Sequence, residues 1–196
     1  MTNTIFPVLA ALALASCSAS APAPAQEPPL AGASIGGPFT LTNSAGGTVQ
    51  WSDFAGKYRI VYFGYAYCPD ICPTDVQRLA QGYALFAKAE PGLAEQVQPM
   101  FITIDPERDT QQVVGEFTAA FSPDLLGLTG TPEQIKAAAD AFKVFYSRGE
   151  TSEGGGYLMD HSNIAYLMDR DGSPLATLPV DLTPQDIADE IAKWTS

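Results

Sequence analysis

Histidine is almost absent from this chain and positive charge is scarce. Of 196 residues one is a histidine, His161, and three are cysteines, while 10 Lys+Arg stand against 22 Asp+Glu for a net charge of −12. A single histidine excludes a multi-histidine zinc site. The acidic balance excludes a phosphate-backbone binder, which needs a basic face, so no nucleic-acid partner is expected. Long apolar runs are missing as well. Residues 5–15 are apolar but interrupted by Pro7, and they fall short of the ~20 residues that span a bilayer. What is present is a core: 46% hydrophobic and 10% aromatic residues exclude a disordered chain and fit one domain behind an export segment.

The N-terminus reads as that segment. Its apolar run ends in Leu14-Ala15-Ser16-Cys17, small residues before a cysteine, the pattern of a bacterial lipoprotein signal. Residues 1–16 are then a signal peptide and Cys17 the lipidated first residue of a protein on the periplasmic side of the membrane. Residues 17–38, rich in Ala, Pro, Ser and Gly, read as an extended tether outside the fold. The domain occupies residues 39–196.

Within it, strand and helix patterns alternate. Residues 39–41 and 48–50 around Asn43-Ser44-Ala45-Gly46-Gly47 predict a hairpin. Residues 59–65 predict a strand buried on both faces, followed by a helix over 74–89, a strand over 98–104 and a helix over 110–121. A short strand at 125–128 leads to a helix over 132–142, with Thr131 as cap and Pro132 at its first position. Further strands are expected at 143–147, 163–168 and 175–178, then an amphipathic helix from Thr183 to Lys193. This order predicts an α/β sandwich with a central mixed sheet and an N-terminal hairpin, a thioredoxin-like arrangement.

Cys68-Pro69-Asp70-Ile71-Cys72-Pro73 falls between the first buried strand and the first long helix. A cysteine over a helix N-terminus gains thiolate character, and two neighbouring sulfurs suit Cu(I). The same pair could be redox-active, could form a disulfide that staples a small loop, or could be buried inert thiols. His161, in Tyr157-Leu158-Met159-Asp160-His161-Ser162, taken alone fits a hydrogen-bonded surface or core residue better than a ligand. Asp160 could orient it or face solvent. Asp105-Pro106-Glu107-Arg108-Asp109-Thr110 is explained by capping and loop geometry without chemistry.

Taken in order, the Cys68–Pro73 motif, the Asp105–Thr110 run and Asp160-His161-Ser162 resemble the Sco/SenC family of copper chaperones. Gly64-Tyr65, Gly130-Thr131-Pro132-Glu133 and Tyr166-Leu167-Met168-Asp169 add to the resemblance, which runs from about residue 39 to 194. It implies a thioredoxin fold, Cys68 and Cys72 as thiolate ligands and His161 as the nitrogen ligand of Cu(I) or Cu(II). It further implies delivery of copper to the binuclear site of cytochrome c oxidase subunit II, or to another copper-receiving protein, rather than turnover catalysis. Many members carry a transmembrane anchor, whereas this chain reads as lipid-anchored. The competing reading is a thiol–disulfide reductase that keeps a partner's copper-site cysteines reduced, with Cys68 attacking and Cys72 resolving.

Overall fold

The computed structural model describes residues 26–69, 71–152, 154 and 156–195. Cys17, the expected signal segment and Asp70 lie outside the described residues. Among those described, no helix is long and apolar enough to cross a membrane.

Strands β1 (Thr40–Asn43) and β2 (Thr48–Gln50) form the expected hairpin. After a single 3-10 turn come β3 (Tyr58–Gly64), α1 (Ile71–Ala89), the one-turn α2 (Pro91–Ala94) and β4 (Val97–Thr103). Helix α3 (Gln111–Ala119), β5 (Leu126–Thr129) and α4 (Pro132–Ala141) follow. The chain closes with β6 (Tyr146–Arg148), β7 (Met159–His161), β8 (Ala165–Met168), β9 (Pro174–Leu178) and α5 (Pro184–Thr195). Seven strands make one sheet in the order β2-β1-β5-β4-β3-β8-β9. Strands β3, β4 and β5 are parallel, while β8 runs antiparallel to β3 and β1 antiparallel to β5. The fold is the thioredoxin-like mixed sandwich that the order of elements implies.

Two apolar layers follow from strand alternation. Ile60, Tyr62, Phe101 and Leu167 point to the layer of α1 and α5, where Leu79, Phe86, Ile187 and Ile191 meet them. Val61, Phe63, Met100, Ile102, Tyr166 and Met168 point to the opposite layer, against Ile135, Ala138 and Phe142 on and beside α4. The α1–α5 contact depends on Gly82, where a Cβ would stand 2.6 Å from Ile187 and 2.9 Å from the Pro184 carbonyl oxygen. The Thr131 cap is present as a capping box: Thr131 Oγ1 accepts from Gln134 N, and the Gln134 side chain accepts from Thr131 N.

Three expectations change. Residues 28–38, read as tether, are held on the domain. Leu30 N donates to Leu175 O and Gly36 N to Ala141 O, and Leu30 and Ile35 pack on the second layer. Two apolar side chains and two backbone hydrogen bonds dock a Pro- and Gly-rich stretch. The strand expected over 143–147 begins at Tyr146 and leaves the main sheet, pairing with β7 in a separate ribbon. Residues 142–144 are spent instead on ending α4: Lys143 takes a left-handed conformation (φ 57°) while Val144 N bonds Ala139 O, a helix-terminating turn. Finally, α1 starts at Ile71, three residues early, because Pro73 fits a first turn whose N–H groups have no helical partner.

Candidate metal centre

Topology brings three segments to one edge of the sheet. Parallel β3 and β4 end side by side, Gly64 opposite Thr103, so the cysteine loop and the 105–109 turn emerge together. Because β8 is antiparallel to β3, its N-terminal end, with His161 just before it, arrives at the same edge.

Cys72 sits in the first turn of α1 and is fully buried. Its sulfur lies against the end of β3, where a Cβ on Gly64 would stand 3.2 Å from it. Cys72 Sγ is 3.1 Å from His161 Nε2. On the far side of the imidazole, Nδ1 is 3.1 Å from the Ser162 carbonyl oxygen. A carbonyl only accepts, so the ring proton belongs on Nδ1 and Nε2 turns its lone pair to the thiol. Burial lowers the His161 pKa below its ordinary 6.5, against smaller raising effects of the Ser162 carbonyl and of Asp75 and Asp160. The imidazole is therefore neutral at pH 7, the form that can ligate.

Cys68 is half-buried, the more accessible of the two thiols. The two are not joined in a disulfide. Its thiol is hydrogen-bonded with the Cys72 thiol and with the Tyr65 hydroxyl. The thiolate character expected at a helix N-terminus does not extend to Cys72: burial first, then Cys68, push its pKa up, against the Tyr65 amide and the Tyr62 hydroxyl. Cys68, Cys72 and His161 thus come together in pairs. Among the described residues no group of three His, Cys, Asp or Glu side chains already stands in metal-ligating geometry.

Around the trio lies a polar shell that local sequence does not announce. Tyr65 packs edge-on to His161 at 5.9 Å, and its hydroxyl accepts from Met159 N. Burial, with lesser contributions from both thiols, pushes that phenol up to about 12. Tyr62, buried beneath, donates to Asp75, whose carboxyl burial likewise raises. Asp160 is exposed, and the group oriented on His161 is the Ser162 carbonyl. The Asp105–Thr110 run does cap α3 through Thr110, but it also reaches the site. Asp109 Oδ2 accepts from Ala66 N at 2.8 Å, pinning the cysteine loop.

The family model described as SCO1/SenC matches residues 27–196. The chain belongs to the SCO1/SenC family. It is 44% identical over 164 residues to Protein SenC of Rhodobacter capsulatus, covering 82% of this chain and 71% of that one. It is 46% identical over 144 residues to the mitochondrial Protein SCO1 homolog 1 of Arabidopsis thaliana, covering 73% and 42%. The chain thus spans less than half of this plant relative's length. Among solved structures, Bradyrhizobium japonicum ScoI with copper bound superposes with TM-score 0.74 at 34% identity, covering 82% of this chain and 99% of that one. Arabidopsis thaliana ScoI with copper bound gives 0.75 at 39%, covering 81% and 96%.

Proposed function

We propose that this SCO1/SenC chain is a copper-binding assembly factor that carries copper as cargo on Cys68, Cys72 and His161. The observation that carries the reading is the 3.1 Å approach of Cys72 Sγ to a neutral, Nδ1-protonated His161, with the Cys68 thiol beside it. Two sulfurs satisfy Cu(I), and an added imidazole nitrogen extends the set toward Cu(II). Binding releases the thiol protons, and a partner with comparable soft ligands takes the ion by exchange. The recipient in this reading is the binuclear copper site of cytochrome c oxidase subunit II, or another copper-receiving protein. Cys17 is the lipid anchor after removal of residues 1–16, and the domain faces the periplasm.

Copper titration of the purified, reduced protein tests the reading. One Cu(I) per chain is expected, lost in Cys68→Ser/Cys72→Ser and on oxidation to the disulfide. His161→Ala is expected to weaken Cu(I) moderately and to remove the sulfur-to-copper charge-transfer band of the Cu(II) form. Copper binding that survives in the double cysteine variant overturns it. Mass spectrometry of the native N-terminus, expected to give diacylglyceryl-Cys17, tests the anchor; an intact Met1 refutes it.

A second reading, thiol–disulfide reduction of a partner's copper-site cysteines, is favoured by one observation: an accessible Cys68 thiol bonded to a buried Cys72 thiol, the pairing of an attacking and a resolving group. Its signature is a His161→Ala variant that changes thiol reactivity and leaves the Cu(II) spectrum intact.

A further inference from the structure

Arg108 is the hub between the two halves of the site. Its Nε donates to Asp105 Oδ2 at 2.5 Å and its Nη1 to the Tyr157 carbonyl oxygen at 2.8 Å. The guanidinium carbon stands 3.6 Å from the ring centroid of Tyr157, 5.4 Å from that of Tyr67 and 5.6 Å from that of Tyr65. The Tyr157 hydroxyl closes the cycle by donating to Asp105 Oδ1 at 2.9 Å. Tyr65 and Tyr67 lie just before Cys68, whereas Tyr157 lies four residues before His161. A single planar cation therefore holds both ligand-bearing segments. Tyr65 carries the link onward, accepting from Met159 N at 3.3 Å and packing on the His161 ring.

The β6–β7 ribbon needs such a tie. It pairs over three residues, outside the main sheet, and a short two-stranded ribbon is marginal by itself. Asp105, buried with 3% exposure, anchors the tie to the rigid end of β4. We propose that Arg108, with Asp105 and Tyr157, is a positioning latch that holds His161 against the cysteine pair and so sets the preference between Cu(II) and Cu(I). The ion that uses the imidazole depends on the latch; the ion satisfied by two sulfurs does not. This inference rests on the copper-carrier reading above.

Lysine keeps the charge but loses the fork and the stacking face, so Arg108→Lys is the informative variant. Tyr157→Phe, which keeps the ring and removes only the hydroxyl bond to Asp105, is the milder companion that should fold regardless. Hydrogen exchange is read first, on the copper-free reduced protein. The amides of residues 159–161 are expected to lose protection in Arg108→Lys, and less so in Tyr157→Phe, while those of β3 and α1 keep theirs. Copper competition is read second. Cu(II) affinity is expected to fall about 10–100-fold in Arg108→Lys, the usual cost of losing an outer partner, with Cu(I) affinity within about threefold of the parent. Unchanged exchange at 159–161, or equal loss of both copper affinities, overturns the latch. A parent protein that binds no copper overturns the carrier reading instead, and the exchange measurement still decides the latch.

Discussion

Replacing Asp109 separates two jobs that one buried carboxylate performs. Its side chain has no solvent exposure, and Oδ2 accepts from Ala66 N at 2.8 Å and from Thr103 Oγ1 at 2.6 Å. Oδ1 is buried with no hydrogen-bond partner. In Asp109→Ala both donors lose their acceptor, at about 1–3 kcal/mol each. Relief of the desolvated carboxylate returns part of that, so a net loss of about 2–4 kcal/mol is expected. Asparagine can keep both bonds through its carbonyl oxygen, so Asp109→Asn should stay within about 1 kcal/mol of the parent at pH 7. The two variants also differ in pH dependence. Burial is the largest influence on Asp109 and raises its pKa above the ordinary 3.8. A raised folded pKa means that the folded state holds its proton more tightly than the unfolded chain. That contribution is fully present below the unfolded pKa and is lost as pH rises through the folded one. Asparagine has no such contribution, so the stability difference should move in favour of Asp109→Asn as pH rises above the ordinary 3.8. Urea unfolding of the reduced, copper-free protein at several pH values measures this. An asparagine variant as unstable as the alanine one at pH 7, or a difference independent of pH, refutes the reasoning.

Further outcomes follow from other contacts. Gly82→Ala should cost about 1–3 kcal/mol by overpacking α1 against Ile187 and the Pro184 carbonyl; an unchanged denaturation midpoint would mean that α5 shifts freely. Lys143→Gly should stabilise by about 0.5–1 kcal/mol, because the left-handed residue ending α4 then carries no Cβ; a loss of stability would contradict the strain assigned there. Thr131→Ala should cost about 1 kcal/mol through the lost cap of α4, read from thermal unfolding. In native protein an alkylating reagent should modify Cys68 before Cys72, by peptide mapping, since Cys72 is fully buried and its thiol proton strongly held; equal rates would contradict the burial.

Local chemistry made much of this legible in the sequence. The Thr131-Pro132 start, the 43–47 turn and the two-faced apolar runs each depend on neighbours within a few residues, and each appears where expected. The cysteine pair was readable for the same reason, since a strand-to-helix junction fixes both thiols within five positions. Long-range partners were not. Nothing near Arg108 indicates that its guanidinium will stack on Tyr157, 49 residues on, and the run around it satisfies capping rules well enough to hide a second role. Arg59 is similar. It opens what reads as an apolar strand, yet its guanidinium is buried over Trp51 and donates to the carbonyls of Phe54, Asp169 and Arg170. Only the assembled fold supplies those acceptors.

The three proposed ligands are mounted on supports of decreasing firmness, and that order bears on how a cargo ion would move. Cys72 is fixed in α1 and in the second apolar layer. His161 stands on the two-stranded ribbon, held by its bond through Ser162, by Tyr65 and by whatever Arg108 fixes. Cys68 lies on the turn between strand and helix, half-exposed, and is the thiol an incoming group meets first. A carrier whose ligands were all as buried as Cys72 would have to open its core to release an ion. One whose ligands were all as accessible as Cys68 would surrender the ion to any competing thiol. With a fixed inner sulfur and an accessible outer one, a partner's thiolate can displace Cys68 first while Cys72 and His161 still hold the ion. In the proposed copper-carrier reading, exchange would then proceed one ligand at a time, with no step in which the ion is bare.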